Sequence, residues 1–260
     1  MNICFNKMQA LGNDFVLIET ITQTFPITPE FIKKIADRHF GIGCDQVLLL
    51  GLSDNPDADF EYTIYNGDGS LAKQCGNGAR CVGLFIKEEN LSDDNKITLA
   101  TQDHLTRVDI SNAKKISVEI GVPVFDEEKS KELGLGVLSV GNPHLIICVP
   151  DVTQANVDSI GKSYNAAHPL FPEGVNVSFC QVISKQHVKL RVYERGVGET
   201  LACGSAACAT MAYLRHLNLI NDTVKIDLPG GELTVSWAGK DKPVILMGNA
   251  KNVFSGIYKL

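Results

Sequence analysis

One stretch of this chain occurs twice, and that repetition constrains the fold more than any other feature. The first copy runs from Tyr65 through a turn to Cys75, and the second runs from Tyr193 through a turn to Cys203. In both copies the tyrosine precedes the cysteine by ten residues, and a glycine follows the cysteine at once. The offset is 128 in a chain of 260 residues. We interpret the chain as two related halves, each of which supplies one cysteine to a shared site.

Two further features repeat in the same order. Gly12-Asn13 is matched by Gly141-Asn142 at an offset of 129, and Gln46 is matched by Asn176 at an offset of 130. Three features that keep their order and almost the same offset indicate an ancient duplication.

The duplication sets the predicted domain boundaries. We expect an N-terminal half at residues 1–118 and a C-terminal half at residues 119–248. The tail, residues 249–260, has no counterpart in the other half, and we predict that it is a strand returning to the first half. Within the first half, Pro29 in a first turn predicts a helix that runs to about His39. The turn before the second strand is expected at residues 12–14.

The residues around each cysteine predict a strand, a turn and a buried helix. The segments before the turns are rich in β-branched and aromatic residues, which is typical of strands. The segments after the cysteines are apolar nearly all round, which is typical of buried helices. The strands are predicted at 60–65 and 187–193, and the helices at 79–86 and 206–214.

This arrangement places Cys75 and Cys203 at helix N-termini. The first N–H groups of a helix lack internal partners, and the helix dipole is positive there. A thiol at such a position has its pKa lowered from about 8.5, often toward neutrality. The same N–H groups can hold a carboxylate. We therefore expect two activated thiols that hold one carbon of an acidic substrate between them.

The other cysteines are predicted to have packing roles, because free cysteine is among the most buried residue types. The spacing from Cys75 to Cys81 and from Cys203 to Cys208 does not fit zinc binding, and C-x-x-C is absent. No metal site is expected. The packing cysteines are Cys4, Cys44, Cys81, Cys148, Cys180 and Cys208.

Charge and composition limit the partners. Lys and Arg number 24 against 30 Asp and Glu, and no basic cluster occurs, so nucleic acid and anionic membranes are poor partners. The N-terminal segment lacks the pattern of a signal peptide, which favours a cytoplasmic location and reduced thiols. Neither a dinucleotide fingerprint nor a P-loop is present, so no cofactor is expected.

Two facing thiols fit three kinds of chemistry: a redox dithiol, a nucleophile with a spare cysteine, or an acid/base pair. The pseudo-symmetry favours the third. One thiolate removes a proton from one face of a carbon while the opposite thiol donates a proton to the other face, which inverts the stereocentre. Helix termini would stabilise the substrate carboxylate as it gains enolate character.

The chain resembles the diaminopimelate epimerases, cofactor-independent isomerases of lysine biosynthesis that interconvert LL- and meso-diaminopimelate. The resemblance implies a mixed α/β fold of two pseudo-symmetric halves, each a curved mixed sheet or barrel around a buried central helix, with the active site in the cleft between them. It also implies a homodimer. The residues that carry it are MQALGNDF (8–15), GIGCDQ (41–46), YNGDGS (65–70), QCGNGARC (74–81), GNPH (141–144), GVNV (174–177), YERGVGET (193–200) and ACGSAACA (202–209).

The resemblance implies a role for each matching position. Cys75 and Cys203 would be the acid/base pair, and His144 and Glu194 would lie near the reacting amine and the thiols. Arg195 would pair with a distal carboxylate of the substrate. The remaining substrate-binding positions are backbone at Gly76, Asn77, Gly204 and Ser205, and side chains at Asn13, Gln46, Asn66, Asn142 and Asn176.

Two other classes remain open on the sequence. A proline or hydroxyproline racemase-type enzyme would share the facing cysteines, but its ring substrate has no distal amino acid group to engage Arg195. A non-catalytic ligand-binding or redox-sensing protein would use Cys75 and Cys203 as a reversible disulfide.

Overall fold

The structure is a computed structural model that describes residues 2–260. The chain divides into two compact units: one contains the residues up to Val118 together with Gly248–Leu260, and the other contains Glu119–Met247. Both units combine strands and helices, which confirms the predicted mixed α/β class. In residues 2–260, none of the helices has the length and apolar character that crossing a membrane requires.

The elements follow one another along the chain in a repeated order. The first unit contains β1 (Asn2–Ala10), β2 (Asn13–Glu19), α1 (Pro29–Ala36), β3 (Gln46–Leu52), β4 (Phe60–Asn66), α2 (Gly76–Glu88), β5 (Lys96–Ala100), β6 (Leu105–Asp109) and β7 (Ile116–Gly121), whose last residues belong to the second unit. The second unit continues with β8 (Val124–Phe125), α3 (Glu127–Leu133), β9 (Gly136–Ser139), β10 (Pro143–Cys148), a 3-10 turn (Val152–Gln154), α4 (Val157–Asn165), β11 (Asn176–Ser184), β12 (His187–Glu194), β13 (Gly198–Thr200), α5 (Gly204–His216), β14 (Thr223–Leu228), β15 (Gly231–Trp237) and β16 (Val244–Gly248). The last strand, β17 (Lys251–Lys259), belongs to the first unit.

The strand pairing has the same order and sense in both units. In the first unit, β1–β2 is antiparallel, β2–β3 parallel, β3–β4 antiparallel, β4–β5 parallel, and β5–β6 and β6–β7 antiparallel. In the second unit, β9–β10 is antiparallel, β10–β11 parallel, β11–β12 antiparallel, β12–β14 parallel, and β14–β15 and β15–β16 antiparallel. The repeat detected in the sequence is therefore also a repeat of strand topology.

The two helices that follow the cysteines lie against these strands. In α2, all residues from Asn77 to Ile86 are buried, and the helix contacts β1, β2, β3, β6 and β17. In α5, the residues from Ala206 to Ala212 are buried, and the helix contacts β9, β10, β11 and β15. Both helices have 13 residues and begin directly after a cysteine. The predicted buried helices are confirmed, although each is a few residues longer at both ends than its apolar run.

The first turn is tighter than predicted. Leu11 and Gly12 adopt positive φ values of 55° and 84°, which is the backbone of a two-residue hairpin turn. As a result, Asn13 and Asp14 already belong to β2 and pair with β1. The prediction of a turn at residues 12–14 was therefore wrong by one residue at its start and two at its end. Asn13 lies on a strand end rather than on a loop.

Helix α1 ends at Ala36, so the prediction that it reaches about His39 is wrong. The reason is local. The Asp37 carboxylate accepts the backbone N–H groups of His39 and Phe40 at 2.7 and 2.8 Å, which holds the backbone in a turn that competes with the helix.

The tail forms the predicted strand. β17 pairs antiparallel with β1 over most of its length. Phe254 of β17 meets Phe5 of β1 edge to face, with ring centroids 6.0 Å apart. Just before the strand, the carbonyl oxygen of Asn249 accepts the Nε–H of Arg80 at 3.4 Å. The end of the chain is therefore connected to the start of the chain and to α2.

The packing cysteines divide into two groups. Four of them are buried, and burial raises the pKa of the Cys44 thiol to about 12. Cys4 and Cys148 are exposed, so the prediction that they fill the core is wrong. Cys4 lies on the exposed face at the start of β1, where exposed and buried residues alternate. Cys148 is the last residue of β10 and follows buried positions on both faces of the strand. The buried group is Cys44, Cys81, Cys180 and Cys208.

Candidate active site

Cys75 occupies the N-cap of α2, as predicted. Its backbone is extended (φ −147°, ψ 103°), so the helix begins at the next residue. The half-buried Sγ accepts the N–H of Gly78 at 3.3 Å, the hydrogen bond that a capping side chain makes to the first helical turn. An N–H donor directed at sulfur stabilises negative charge on it.

A chain of amides connects Cys75 to a buried arginine. The Oδ1 of Asn13 lies 4.0 Å from the Cys75 sulfur and accepts Nδ2–H of Asn77 at 3.2 Å. The Oδ1 of Asn77 in turn accepts an Nη2–H of Arg80 at 2.9 Å. Because Arg80 can only donate, it fixes the orientation of Asn77 and hence of Asn13. Arg80 itself is fully buried.

Carboxylates hold the other end of Asn13. Its Nδ2–H donates to Asp45 at 2.9 Å, and Asp45 also accepts a 2.8 Å hydrogen bond from Arg38. The Asp14 carboxylate forms ion pairs with Arg38 Nη2 at 2.7 Å and with Lys7 Nζ at 2.5 Å. Burial alone would raise the pKa of Asp14, but hydrogen bonds and charge from Arg38 and Lys7 hold it well below the usual range. This ion-pair cluster keeps the Asn13 oxygen turned toward Cys75.

Gln46 and Asn66 form a second polar pair in the same unit. They are register partners at one end of the antiparallel pair β3–β4, and Gln46 Nε2–H donates to Asn66 Oδ1 at 2.9 Å. Asn66 Nδ2–H donates to Ser70 in the following turn at 3.0 Å. Since Phe15 is the register partner of Gln46 on β2, Asn13 lies at the same end of this sheet.

Cys203 starts α5 in the way that Cys75 starts α2, but its environment differs. Its backbone is extended (φ −128°, ψ 114°), yet its side chain makes no capping hydrogen bond. The sulfur lies 3.4 Å from the Ser205 hydroxyl, and only 6% of the residue is exposed. Burial and the nearby Glu194 carboxylate raise the pKa of the Cys203 thiol well above its usual value. The prediction that this helix start lowers the thiol pKa is therefore wrong, because burial and the carboxylate outweigh the N–H groups.

Glu194 is fixed by a residue that the sequence reasoning missed. The hydroxyl of Thr200, on β13, donates to Glu194 Oε1 at 2.5 Å. Glu194 and Thr200 lie on paired strands, where Glu194 is the register partner of Gly198. Thr200 is the last residue of the YERGVGET motif, and its position in that motif was the only available signal.

Arg195 lines an open pocket of about 450 Å³ in the second unit, and Asn176 is hydrogen-bonded to its backbone. Asn176 Oδ1 accepts the backbone N–H of Arg195 at 2.9 Å. The Arg195 guanidinium donates to the Glu173 carbonyl at 3.2 Å and is 42% exposed. The pocket is lined by Asn165, Pro172, Glu173, Gly174, Tyr193, Arg195, Gly196 and Val197.

His144 is a neutral, buried group. It is fully buried on β10 as the register partner of Asn176, and its Nε2–H donates to Asn142 Oδ1 at 2.9 Å. Burial lowers the pKa of His144 to about 3. Its Nδ1 has no hydrogen-bond partner within residues 2–260. His144 can therefore orient Asn142, and it stays uncharged at neutral pH.

The predicted residues thus fall into local groups within each unit. Cys75, Asn13 and Asn77 form one group and Gln46 with Asn66 a second. The second unit brings together Cys203, Glu194 and Ser205, then Asn176 with Arg195, and Asn142 with His144. Arg38, Asp45 and Arg80 support the first group and were missed. Arg38 and Asp45 are distant from Asn13 in the sequence, so no local pattern indicates their contact with it. Arg80 lies only three positions after Asn77, but their hydrogen bond depends on the buried side-chain geometry of α2.

Comparison with known proteins identifies the family. The family profile described as diaminopimelate epimerase matches residues 5–125 and 136–253. A diaminopimelate epimerase from Teredinibacter turnerae is 43% identical over 277 aligned positions that cover all of both chains.

Solved structures with low sequence identity share the fold. A phenazine biosynthesis protein of the PhzF family from Bacillus anthracis superposes with a TM-score of 0.75 at 16% identity, covering all of both chains. A hydroxyproline epimerase from Agrobacterium vitis superposes with a TM-score of 0.73 at 12% identity, covering 98% of this chain and 92% of that one. The fold is thus one that epimerases and phenazine biosynthesis proteins share. The chain belongs to the diaminopimelate epimerase family and is an isomerase.

Proposed function

We propose that this protein interconverts LL- and meso-diaminopimelate by moving a proton at one α-carbon, as a step of lysine biosynthesis. The observation that carries the proposal is the pair of cysteines at the starts of α2 and α5, in a chain that belongs to this family. Each unit supplies one thiol, and the two thiols act on opposite faces of the same carbon. An exchange of their roles runs the reaction in the other direction.

The surroundings of the two thiols favour different protonation states before substrate binds. The Glu194 carboxylate and burial oppose a thiolate at Cys203, whereas the Gly78 N–H donates to the sulfur of Cys75. We therefore assign the resting base to Cys75 and the resting acid to Cys203. In the reverse direction, Cys203 has to be the base and Cys75 the acid, so Cys203 must lose a proton and Cys75 must gain one before that substrate is turned over.

The helix starts are the proposed carboxylate site. Unpaired N–H groups in the first turn, at Gly76 and Asn77 and at Gly204 and Ser205, would hold the α-carboxylate as it gains enolate charge. The positive end of each helix dipole favours the same charge. Binding at a helix start adjacent to the thiol places the α-carbon within reach of the sulfur.

The far end of the substrate is proposed to bind through amides and Arg195. Turning the Arg195 guanidinium away from the Glu173 carbonyl would free it for a bidentate pair with the distal carboxylate. Asn13, Gln46, Asn66, Asn142 and Asn176 supply donors and acceptors for the distal amino acid group. His144 contributes as a neutral group behind Asn142, and Glu194 as an acceptor for the reacting amine.

We further propose that the enzyme needs no cofactor or metal, is cytoplasmic, and forms a homodimer. The first proposal rests on the paired thiols, which supply both the acid and the base. The other two rest on the composition and on the family resemblance. A pyridoxal absorbance in purified protein would contradict the cofactor-independent scheme, and size-exclusion chromatography with light scattering tests the dimer.

Exchange in heavy water tests the two-base scheme. We expect one deuterium on the α-carbon of each product molecule, and we expect Cys75→Ala and Cys203→Ala each to lower kcat by at least about a hundredfold. Cys4→Ala, which alters an exposed cysteine on β1, is the matched control and should keep full activity. Inversion with complete retention of the original hydrogen would refute the scheme.

The hydroxyproline epimerase that shares this fold defines the rival substrate class. Inversion of hydroxyproline or proline, without turnover of diaminopimelate, would reject our substrate assignment while leaving the thiol chemistry intact. We expect the opposite result, and we expect Arg195→Ala to raise KM for diaminopimelate because a distal carboxylate loses its partner.

A further inference from the structure

A second pair of thiols lies in the second unit, apart from Cys203. Cys148 on β10 and Cys180 on β11 are register partners on neighbouring parallel strands. Their sulfur atoms are 3.6 Å apart and unbonded, and both cysteines are free. Neighbouring strands lie about 4.8 Å apart, which falls within the Cα separations that disulfides accept. The backbone therefore already suits a bond between them.

The two thiols have complementary exposure. Cys148 is an exposed residue, whereas Cys180 is buried, so of the two thiols Cys148 is the one that a small molecule in solution meets first. The hydrogen bond from Cys180 lowers the pKa of Cys148 to about 7, against the opposing effect of burial, and raises the pKa of Cys180. An accessible thiol with thiolate character beside a shielded thiol is the arrangement of an attacking and a resolving cysteine.

The pair is also distant from the thiol at the start of α5. Both sulfur atoms lie near Tyr213, close to the end of that helix, and burial together with negative charge on either of them raises the pKa of Tyr213. Tyr213 lies nine positions after Gly204, which corresponds to about 13 Å along the helix axis. Oxidation at this pair is thus a separate event from any reaction of Cys203.

We propose that Cys148 and Cys180 form a thiol–disulfide exchange site that accepts low-molecular-weight disulfides such as oxidised glutathione. The Cys148 thiolate attacks one sulfur of the disulfide, whose S–S bond breaks and releases one thiolate. The new mixed disulfide is then attacked by Cys180 after its proton passes to solvent, which releases the second thiolate. In sum, two protein thiols are oxidised to one disulfide, and one small disulfide is reduced to two thiols.

Mass spectrometry of the full chain tests this site. The background is Cys75→Ala/Cys203→Ala, so that those two thiols cannot contribute. After incubation with oxidised glutathione, we expect a disulfide-linked peptide pair that contains Cys148 and Cys180, with the loss of two hydrogen atoms. In the same background with Cys180→Ala added, we expect a persistent glutathionyl group on Cys148.

Two comparisons complete the test. Cys4 is exposed on β1 and serves as an internal control, because its adduct should persist in both proteins. With Cys148→Ser added instead, Cys180 should remain reduced, since burial shields it. The proposal is overturned if Cys148 takes no adduct when Cys4 does, or if its adduct persists equally with and without Cys180 in protein whose circular dichroism is native.

Discussion

The repeated cysteines occupy equivalent positions in the chain but not equivalent environments. At the position of Asn66 in the first unit, the second unit carries Glu194, a carboxylate in place of an amide. Burial raises the pKa of Cys203, and the negative charge of Glu194 raises it further. Asn66 carries no charge, and its side-chain oxygen accepts a hydrogen bond from Gln46. One substitution within the repeat therefore separates two thiols that the sequence pattern alone predicted to be alike.

Replacing Glu194 with glutamine tests this separation. Removing the negative charge stabilises the Cys203 thiolate, so the pKa of Cys203 should fall in Glu194→Gln relative to the native protein. The measurement is the pH midpoint for alkylation of Cys203, followed by peptide mass spectrometry. We expect the midpoint to move to lower pH. In the direction in which Cys203 is the acid, the alkaline limb of the rate profile should move to lower pH with it, because the thiol loses its proton earlier.

The matched control is Glu199→Gln on β13. Glu199 pairs with Arg191 at 2.7 and 2.9 Å, and its substitution removes the same charge from the neighbouring strand. Its effect on the Cys203 midpoint should be small. An equal shift in both variants would mean that the general charge of this region, rather than Glu194, sets the ionisation of Cys203.

At the scale of elements, the two helices pack against their strands with different pairs of residues. A Cβ on Gly78 of α2 would lie 2.3 Å from the hydroxyl of Tyr62 and 3.2 Å from Leu48. The aligned residue in α5 is Ala206, and the residue aligned with Tyr62 is Leu190. The pairs are thus glycine with tyrosine and alanine with leucine. Because leucine lacks the hydroxyl of tyrosine, we infer that the second unit has room for the methyl group of Ala206.

A double-mutant cycle tests whether the size of the helix residue at position 78 is coupled to the size of the strand residue at position 62. Gly78→Ala alone should lower the free energy of unfolding by about 1–3 kcal/mol, because the methyl group overlaps the hydroxyl of a fully buried tyrosine. Adding Tyr62→Leu recreates the pair of the second unit and should recover about half of that loss or more. Urea unfolding measures both effects.

Gly67→Ala is the control for the cycle, since its Cβ would meet its nearest neighbours at 3.5 and 3.6 Å, which is ordinary contact. It should change stability by less than about 1 kcal/mol. Strictly additive effects of Tyr62→Leu and Gly78→Ala would contradict the direct contact.

The elements also show what the sequence could and could not reveal. Strands β4 and β12, and the buried helices α2 and α5, follow from residue patterns a few positions long. The strands were therefore predicted to within one residue, and the helices to within three residues at each end. The end of α1 depends on one carboxylate that captures two N–H groups. The support of Asn13 depends on Arg38 and Asp45 meeting across the fold. Such contacts depend on three-dimensional placement, and no periodicity in the sequence encodes them.

At the scale of the whole molecule, the two units share more than their central strands. Each also has an extra strand on its first strand: β17 pairs with β1, and β8 pairs with β9, both antiparallel. In the second unit this strand precedes β9 with only the short helix α3 between them, whereas in the first unit it comes from the other end of the chain. The first unit therefore depends on pairing between the two ends of the chain, β1 and β17, and the second unit needs no such long-range pair.

Removing β17 should expose this dependence. Deletion of residues 251–260 frees the edge of β1, uncovers Phe5 and removes a strand that α2 contacts. We expect hydrogen–deuterium exchange of the α2 amides to accelerate much more than that of the α5 amides. The milder variant Phe254→Ala keeps the strand but loses the contact with Phe5, and should accelerate α2 exchange by about fivefold for about 1 kcal/mol lost. Equal acceleration in α2 and α5 would show that the tail stabilises both units alike. The pairing of β17 with β1 would then stabilise the whole chain rather than the first unit in particular.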